Sequence, residues 1–363
     1  MEKRKIVFFH LYNDYSGSPK VLRNLIEGLL DKKYFARIVT SNTNGVLDEL
    51  SCNADVEYDY FNYRPTDNKI IWALKFLWAQ FSLIFKAFKC RDCQVFYINT
   101  IMPFGAALAG RILGKRIVYH YHENAFIKSA LYRFLCKVML NVASEIICVS
   151  DYQRSFLPQN DKISVIHNAL TPSFTNKLVP HIDEAYNNKT VLMVSSLLLD
   201  KGILEYISLA QNLLKYNFSL VINDTDDAIT KFIEKYNVKI SNNLKIYSRQ
   251  SDVSKFYNEA SLLLNLSDRT KIIETFGMTV LEGMSAGLPA IVPTVGGIAE
   301  FVEDGVNGYK IDVQELDSIA NRIDELFSDY KVYQKMADAA LITAASYSCS
   351  QMCDKIEYIL NTK

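Results

Sequence analysis

Short runs of apolar residues alternate with amphipathic segments along most of the chain. Runs rich in β-branched and aromatic residues predict strands in the first half at residues 5–12, 35–40, 95–99, 116–122, 145–149 and 162–166. Helical periodicity separates most of these runs. Continuously apolar strands that alternate with helices indicate a parallel sheet covered by helices on both faces.

The periodicity stops between residues 171 and 188, where Thr171-Pro172-Ser173 begins a polar stretch typical of a domain linker. A second series of predicted strands follows, at residues 190–195, 218–222, 244–247, 261–266, 289–292 and 308–311. At 363 residues, the chain is also longer than one hydrophobic core usually supports.

The pattern therefore predicts an α/β protein with two Rossmann-like domains. We expect an N-terminal domain over residues 1–170, a linker over 171–188 and a C-terminal domain over 189–345. Residues 346–363 read as a final helix, and its return to the N-terminal domain is one arrangement that fits. Because open parallel sheets bind ligands beyond the carboxyl ends of their strands, two such sheets facing each other predict a small-molecule cleft.

Charge and cysteine content exclude some classes of protein. Forty basic side chains balance forty acidic ones, so net charge does not support a nucleic-acid partner. An odd number of cysteines, several of them in apolar runs, favours a reducing, cytoplasmic compartment over a disulfide framework. Cys90 and Cys93 have C-x-x-C spacing, but no second close pair of ligands accompanies them, as a zinc site would need.

The strongest functional signal lies within residues 274–308. Glu274 precedes Phe276-Gly277, a predicted helix then covers residues 278–284, and Gly296-Gly297 opens the next loop. Glycine at position 277 permits a tight turn, and the first N–H groups of the following helix suit a phosphate. Glu282, one helical turn further on, is placed to reach a ribose.

In this segment the sequence resembles the retaining GT-B glycosyltransferases of family 4, also called glycosyl transferases group 1. The resemblance rests on Glu-x7-Glu with Phe-Gly after the first Glu, followed by Gly-Leu-Pro, Gly-Gly and Asn-Gly. It extends over most of the chain in organisation and over residues 260–310 in motif detail. It implies transfer of a hexose from a UDP- or GDP-linked donor to a glycan or lipid-linked acceptor, in cell-surface polysaccharide synthesis.

The resemblance also implies roles for single residues. Glu274 would contact hydroxyl groups of the donor sugar, and Glu282 would hold the ribose. The remaining donor contacts it implies in this segment are Phe276, Gly277, Met278 and Thr279, with the backbone of the last three on sugar and phosphate.

Lys201 follows the first strand of the second half and is similar to the diphosphate-binding lysine of the family. The sequence departs from the family nearby, because Ser195-Ser196 stands where Gly-Arg is usual. The missing guanidinium removes a bidentate phosphate contact. The basic residues that could replace it are Arg249, Arg269 and Lys271.

Two positions in the first half complete the expected site. Gly17 lies in the turn after the first strand, where the family carries glycines near the phosphate and the acceptor. The strand over residues 116–122 places His120 and His122 on one side by alternation. A histidine at this strand end is typical of the family's active site. We favour His122, followed by Glu123, with His120 as the alternative.

A catalytic scheme follows from these assignments. Lys201 and the helix N–H groups would stabilise the charge that builds on the departing diphosphate. No divalent metal is required if these groups suffice, so we expect no metal and no cofactor beyond the nucleotide sugar. Retention, implied by the resemblance alone, would proceed by same-face attack while a donor phosphate oxygen takes the acceptor proton.

Residues 70–89 form a second candidate surface. Apolar and aromatic residues cover most of the helical circumference, and no acid occurs between Lys69 and Arg91. Such a pattern is typical of a helix that lies on anionic lipid, which predicts peripheral attachment to the inner membrane face. The alternative is a helix wedged against a partner or its own sheet. The polar stripe consists of Lys75, Ser82, Lys86 and Lys89.

Other functions fit the same fold pattern. A nucleotide-sugar epimerase, a glycogen-type synthase or a phosphorylase would use similar elements. A sugar-nucleotide-binding subunit with weak or no catalysis is suggested by Ser196. Dependence of donor turnover on an acceptor distinguishes these alternatives from a transferase.

Overall fold

In the computed structural model, the described residues, 3–126 and 129–362, form two compact units. The first contains the described residues up to Ala169 together with those from Cys349 onward, and the second runs from Leu170 to Ser348. Each unit is a parallel sheet with helices, which is the α/β architecture that the sequence predicted.

The described part of the first unit contains a seven-stranded sheet in the order β3-β2-β1-β4-β5-β6-β7, with every pair parallel. Its strands are β1 (Lys5–Phe9), β2 (Phe35–Ser41), β3 (Val56–Phe61), β4 (Val95–Asn99), β5 (Arg116–Tyr121), β6 (Glu145–Cys148) and β7 (Ile163–Val165). The first helices are α1 (Gly17–Asp31), α2 (Lys69–Lys89), α3 (Phe104–Ile112), α4 (Ala130–Val142) and α5 (Asp151–Arg154).

The edge strand β3 is the strand that the hydrophobic pattern missed. Glu57 and Asp59 alternate with Val56, Tyr58 and Tyr60, so no continuous apolar run marks it. An edge strand has one neighbour and is only partly covered, which removes the pressure for apolar residues on both faces.

The second unit begins with two short helices, α6 (Pro172–Thr175) and α7 (Ile182–Asn188). The polar segment expected to be a linker therefore carries helices of its own and belongs to this unit. The strands that follow are β8 (Thr190–Ser195), β9 (Asn217–Ile222), β10 (Leu244–Tyr247), β11 (Leu262–Leu264), β12 (Ala290–Val292) and β13 (Gly308–Lys310). The helices are α8 (Ile203–Asn212), α9 (Asp226–Lys235), α10 (Ser254–Glu259), α11 (Met278–Ser285), α12 (Leu316–Ser328) and α13 (Tyr330–Ala345).

The two sheets share one topology. The second has the order β10-β9-β8-β11-β12-β13, again with parallel pairs. In each sheet the strand order reverses beside the first strand, between β1 and β4 and between β8 and β11. At such a point the connections that follow the two neighbouring strands leave toward opposite faces of the sheet. A crevice that can bind a ligand therefore opens beyond the carboxyl ends of these strands.

The last helix, α14 (Cys349–Asn361), packs against α1 of the first unit. Its apolar face, which includes Met352, Ile356 and Leu360, is buried in the same cluster as Leu25 and Leu29. Polar contacts also hold α14 in place, because the Lys32 ammonium lies 2.6 Å from carboxylate oxygens of both Asp354 and Glu357. The chain therefore leaves its second unit and completes the core of the first.

We expect Ile356→Ala to lower the free energy of unfolding by about 2–5 kcal/mol, because it leaves a cavity in a fully buried position. Tyr358 lies on the same helix and is 74% exposed, so Tyr358→Ala serves as the matched control. Urea denaturation followed by circular dichroism measures both variants. Equal midpoints for the two would contradict the burial of Ile356 in the core of the first unit.

Candidate functional site

The loops after β8 and β11 place the predicted lysine at the reversal point of the second sheet. Lys201 ends a short 3-10 helix, Leu199–Lys201, and Gly202 then adopts a positive φ of 76° before α8 begins. A Cβ atom on residue 202 would lie 2.3 Å from the carbonyl oxygen of Leu266. Glycine is needed here so that the lysine turn can pack against the end of β11.

Lys201 forms an ion pair with Glu274. Its Nζ contacts the Glu274 Oε1 atom, which also accepts a hydrogen bond from Ser267 Oγ at 3.0 Å. Burial alone would raise the pKa of the Glu274 carboxyl, but the Lys201 ammonium and hydrogen bonds from Ser267 and Asn265 hold that pKa below its ordinary value. The carboxylate is therefore ionised at neutral pH and keeps the ammonium in place.

The glycine after Phe276 starts α11 as predicted. Gly277 has a φ of 98°, and a Cβ atom there would lie 2.5 Å from Ile298. The N–H groups of Met278 and Thr279 open the helix, so they have no partner earlier in the helix and are the donors that an anion can use.

Phe276 itself is a packing residue. Its ring is buried and lies 4.8 Å from that of Phe301 and 6.1 Å from that of Tyr347, centroid to centroid. The buried side chain therefore anchors the turn. The Gly297 N–H donates to the Glu274 carbonyl oxygen at 2.9 Å, so the Gly-Gly loop also supports this turn.

Glu282 is oriented by a residue that the sequence analysis missed. Glu282 is only 2% exposed, and Tyr257 donates its hydroxyl to Glu282 Oε2 at 2.6 Å. Burial, and secondly the Glu282 carboxylate, raise the pKa of Tyr257 well above its ordinary value, so the phenol stays a donor. Tyr257 belongs to α10, far from the motif in sequence, and no local pattern links the two residues.

The cations proposed to replace the missing arginine differ in their surroundings. Arg269 Nε lies 2.7 Å from the carboxylate of Asp312, and Lys271 Nζ lies 3.2 Å from that of Asp268. Arg249 instead donates from Nε to the neutral amide oxygen of Asn223 at 2.7 Å, just after β9.

The reversal point of the first sheet gathers three imidazoles. His10 follows β1, His120 lies within β5 and His122 comes directly after it. The rings of His120 and His122 lie 4.2 Å apart, as alternation predicted. His120 is fully buried and contacts Tyr97 OH through Nδ1 at 2.9 Å, whereas His122 is partly exposed. Only His122 of these two is accessible to a ligand.

Burial makes all three imidazoles weak bases. It lowers the pKa of His10 to about 4 and that of His120 to about 3. The pKa of His122 is lowered well below its ordinary value, by burial first and then by the neighbouring His120 and His10. The rings are therefore neutral at physiological pH, and each carries one N–H.

The other predicted residues of the first unit lie nearby. Gly17 is the first residue of α1, is exposed, and has nothing within 4 Å of where a Cβ would be. Glu123 follows His122 and accepts a hydrogen bond from the Ile101 N–H at 3.3 Å. Asn99, at the end of β4, contacts both His10 and His122 and was not predicted.

Helix α2 exposes much of its apolar side, together with Lys75 and Lys89 of the polar stripe. Phe76, Ala79 and Leu83 are buried in the core, while Lys86 forms an ion pair with Asp59 of β3. Exposed fractions of 45–74% belong to Ile70, Ile71, Leu74, Leu77, Trp78, Phe81 and Phe85. Among the described residues, α2 is the helix whose length and hydropathy would suffice to cross a membrane, on those two criteria alone.

The sequence matches the models of two protein families. Residues 177–342 match the family Glycosyl transferases group 1, and residues 15–174 match Glycosyltransferase Family 4. The two matches adjoin and together extend across both units.

Similar proteins of known sequence include an uncharacterised glycosyltransferase of Methanocaldococcus jannaschii. It is 27% identical over 241 residues, which is 64% of each chain. A second relative, N-acetyl-alpha-D-glucosaminyl L-malate synthase of Bacillus anthracis, is 28% identical over 33% of this chain and 31% of its own length. The chain thus spans less than two thirds of the curated relatives it matches first.

Solved structures share the fold over the whole chain. HepE of Anabaena in complex with UDP and glucose superimposes with a TM-score of 0.79 at 21% identity, covering 99% of this chain and 100% of HepE. Sucrose-phosphate synthase of Thermosynechococcus elongatus gives a TM-score of 0.79 at 16% identity, over 99% of this chain and 98% of its own. At such identities the likeness shows the fold.

Proposed function

The chain belongs to the family 4 glycosyltransferases, glycosyl transferases group 1, with the GT-B fold, and we propose that it transfers a hexose from a UDP-linked donor with retention of anomeric configuration. The observation that carries this proposal is the cluster at the reversal point of the second sheet. There the Lys201 ammonium, the Glu274 carboxylate and the amino end of α11 lie together. HepE, which has the same fold, binds UDP and UDP-glucose, and this favours uridine over guanosine.

The ion pair defines how a donor would enter. Without a donor, Glu274 neutralises Lys201. A diphosphate carries more charge than one carboxylate, so it can take over the ammonium and release Glu274 to accept hydrogen bonds from sugar hydroxyls. The α11 N–H groups and Lys201 then stabilise the charge that grows on the leaving diphosphate.

The remaining steps of the proposal use no metal and no protein nucleophile. The acceptor hydroxyl attacks from the face that the diphosphate leaves, and a donor phosphate oxygen takes its proton. The new bond forms at the anomeric carbon as the bond to the diphosphate oxygen breaks. The acceptor we propose is a glycan or a lipid-linked sugar of cell-surface polysaccharide synthesis, made at the cytoplasmic face of a membrane.

An assay of transfer tests the proposed function. We expect UDP and a UDP-hexose to raise the melting temperature by ligand linkage, and hexose release from the donor to require an acceptor. Transfer should persist in excess EDTA. Binding without transfer to any glycan or lipid-linked acceptor would instead indicate a binding subunit, and donor conversion without acceptor would indicate an epimerase.

Lys201→Gln should lower kcat by about 10²–10³, because it removes a preorganised cation from the developing charge. The substitution also removes the cationic partner of Glu274, so the melting temperature is measured alongside turnover. Lys231→Gln, at an exposed lysine of α9, is the matched control. A folded Lys201→Gln protein with more than about a third of parental kcat would show that another cation, such as Arg249, neutralises the diphosphate.

Glu282→Gln should weaken binding of UDP by about 10- to 100-fold, because a hydrogen bond to a charged group contributes about 1.5–3 kcal/mol. Tyr257→Phe should weaken it less, because the carboxylate survives but loses its orienting donor. Glu274→Gln should not weaken UDP binding, because it frees Lys201 from its resting ion pair, but it should lower turnover. Isothermal titration calorimetry measures all three variants, and a reversed order of Glu274 and Glu282 would refute their assigned roles.

We also propose that the exposed apolar side of α2 attaches the protein peripherally to the inner membrane face. The opposite side of the helix is packed in the core, which supports lying on a bilayer over crossing it. Lys75 and Lys89 are exposed beside the aromatic side chains, with Lys89 Nζ 4.8 Å from the Phe85 ring centre. Apolar insertion framed by lysines suits an anionic lipid surface.

The combined change Leu74→Ser, Trp78→Ser and Phe81→Ser should lower partition to vesicles containing anionic lipid by at least about 100-fold, since each buried apolar side chain contributes about 1.5–3 kcal/mol. Ile112→Ser removes an equally exposed apolar residue outside α2 and is the control. Cosedimentation with vesicles measures the partition. Unchanged sedimentation of the triple variant would exclude α2 as the attachment surface.

A further inference from the structure

Asn99 connects two of the imidazoles at the reversal point of the first sheet. It is the last residue of β4 and is fully buried. Its Nδ2 atom lies 3.0 Å from His10 Nδ1 and 3.2 Å from the carbonyl oxygen of Ser18, and its Oδ1 atom lies 2.9 Å from His122 Nε2. All three of its neighbours come from different elements of the same unit.

The Ser18 carbonyl fixes the orientation of this amide. A carbonyl oxygen only accepts hydrogen bonds, so the group that faces it must be the NH₂ of Asn99. The Asn99 Oδ1 atom is then the group that faces His122, and it can only accept. His122 Nε2 must therefore carry a hydrogen.

The same reasoning assigns the tautomer of His10. The Asn99 NH₂ donates to His10 Nδ1, so His10 Nδ1 holds a lone pair and His10 Nε2 holds the proton. The Ser18 carbonyl oxygen thus fixes the orientation of the Asn99 amide, and the amide fixes the tautomers of both imidazoles.

The backbone around Asn99 is specialised. Thr100, which follows it, has a φ of 71°, a left-handed conformation that is costly for a β-branched residue. The Thr100 N–H donates to the His120 carbonyl oxygen at 2.9 Å, which secures the turn against β5. The strained residue therefore directly follows Asn99, whose side-chain amide lies between His10 and His122.

We propose that Asn99 is a positioning residue that holds His122 in the Nε2-protonated tautomer, so that Nδ1 is the ring atom that accepts a hydrogen bond or proton. The inference rests on the proposed function, with His122 as the active-site histidine that the family resemblance implies, but the tautomer can be measured without any reaction. A neutral imidazole offers one donor and one acceptor, so the choice between them decides which substrate group it can bind.

Nitrogen-15 spectra of protein labelled at histidine test the proposal, because the sequence contains only five histidines. His122→Gln assigns the His122 signals by their loss. In the parent protein we expect His122 and His10 both to be protonated at Nε2. A parental His122 protonated at Nδ1 would overturn the proposal.

Two variants separate Asn99 from the rest of the network. Asn99→Leu removes the acceptor, so His122 should become a mixture of tautomers. Asn99→Asp keeps an acceptor for His122 but loses the donor for His10, so His122 should stay protonated at Nε2 while the His10 proton moves to Nδ1. Asn24→Leu, at a buried asparagine that donates to the Ala169 carbonyl at 3.3 Å, is the control.

Kinetics supply a second readout. Asn99→Leu should lower kcat by about 10- to 100-fold, as expected for a misplaced catalytic group, with little change in KM for the donor. An unchanged His122 tautomer in Asn99→Leu would overturn the positioning role, and if that variant does not fold, an Nδ1-protonated His122 in Asn99→Asp would do the same. A normal kcat for His122→Gln, beside the expected tautomers, would instead refute the proposed function of His122.

Discussion

Parallel strands that are buried on both faces have no room for an unpaired charge, and this constraint organises each unit. The core of each sheet is mainly apolar, and Lys201, Glu274 and His122 lie outside the strands. A buried ionisable group can satisfy this constraint either by pairing with an opposite charge or by losing its own charge. The Lys201–Glu274 pair and the neutral imidazoles of the first unit are two outcomes of the same rule.

In the second unit this constraint produces a site where a ligand can replace Glu274 as the partner of Lys201. Glu274 is held ionised by Lys201, Ser267 and Asn265, and it holds the lysine in return. A ligand richer in negative charge can take over the ammonium without leaving the carboxylate unsatisfied, provided that it also supplies hydroxyl groups. A nucleotide sugar has both features, which links the electrostatics of the resting site to the proposed substrate.

In the first unit the same rule acts through hydrogen bonds. Burial removes the charge of the histidines, and a neutral imidazole must then have its single proton placed. The Ser18 backbone carbonyl accepts a hydrogen bond from the Asn99 amide and fixes its orientation. The oriented amide then determines which ring nitrogen is protonated in His10 and in His122. Helix α2 departs from apolar burial over much of its length, because seven of its large apolar side chains are exposed.

The sequence by itself determined the order and type of most elements and the Glu274–Glu282 motif with its helix. Apolar runs and glycine turns are local features, and they predicted every strand of the second unit and all but β3 of the first. Tertiary structure alone decided the partners of those residues: Tyr257 for Glu282, Asn99 for His122 and Asp59 for Lys86. It also decided which side of α2 is exposed. Apolar residues cover most of the circumference of this helix, so its sequence does not indicate which side packs against the core. Such contacts join residues far apart in the chain, and only the order of the strands brings them together.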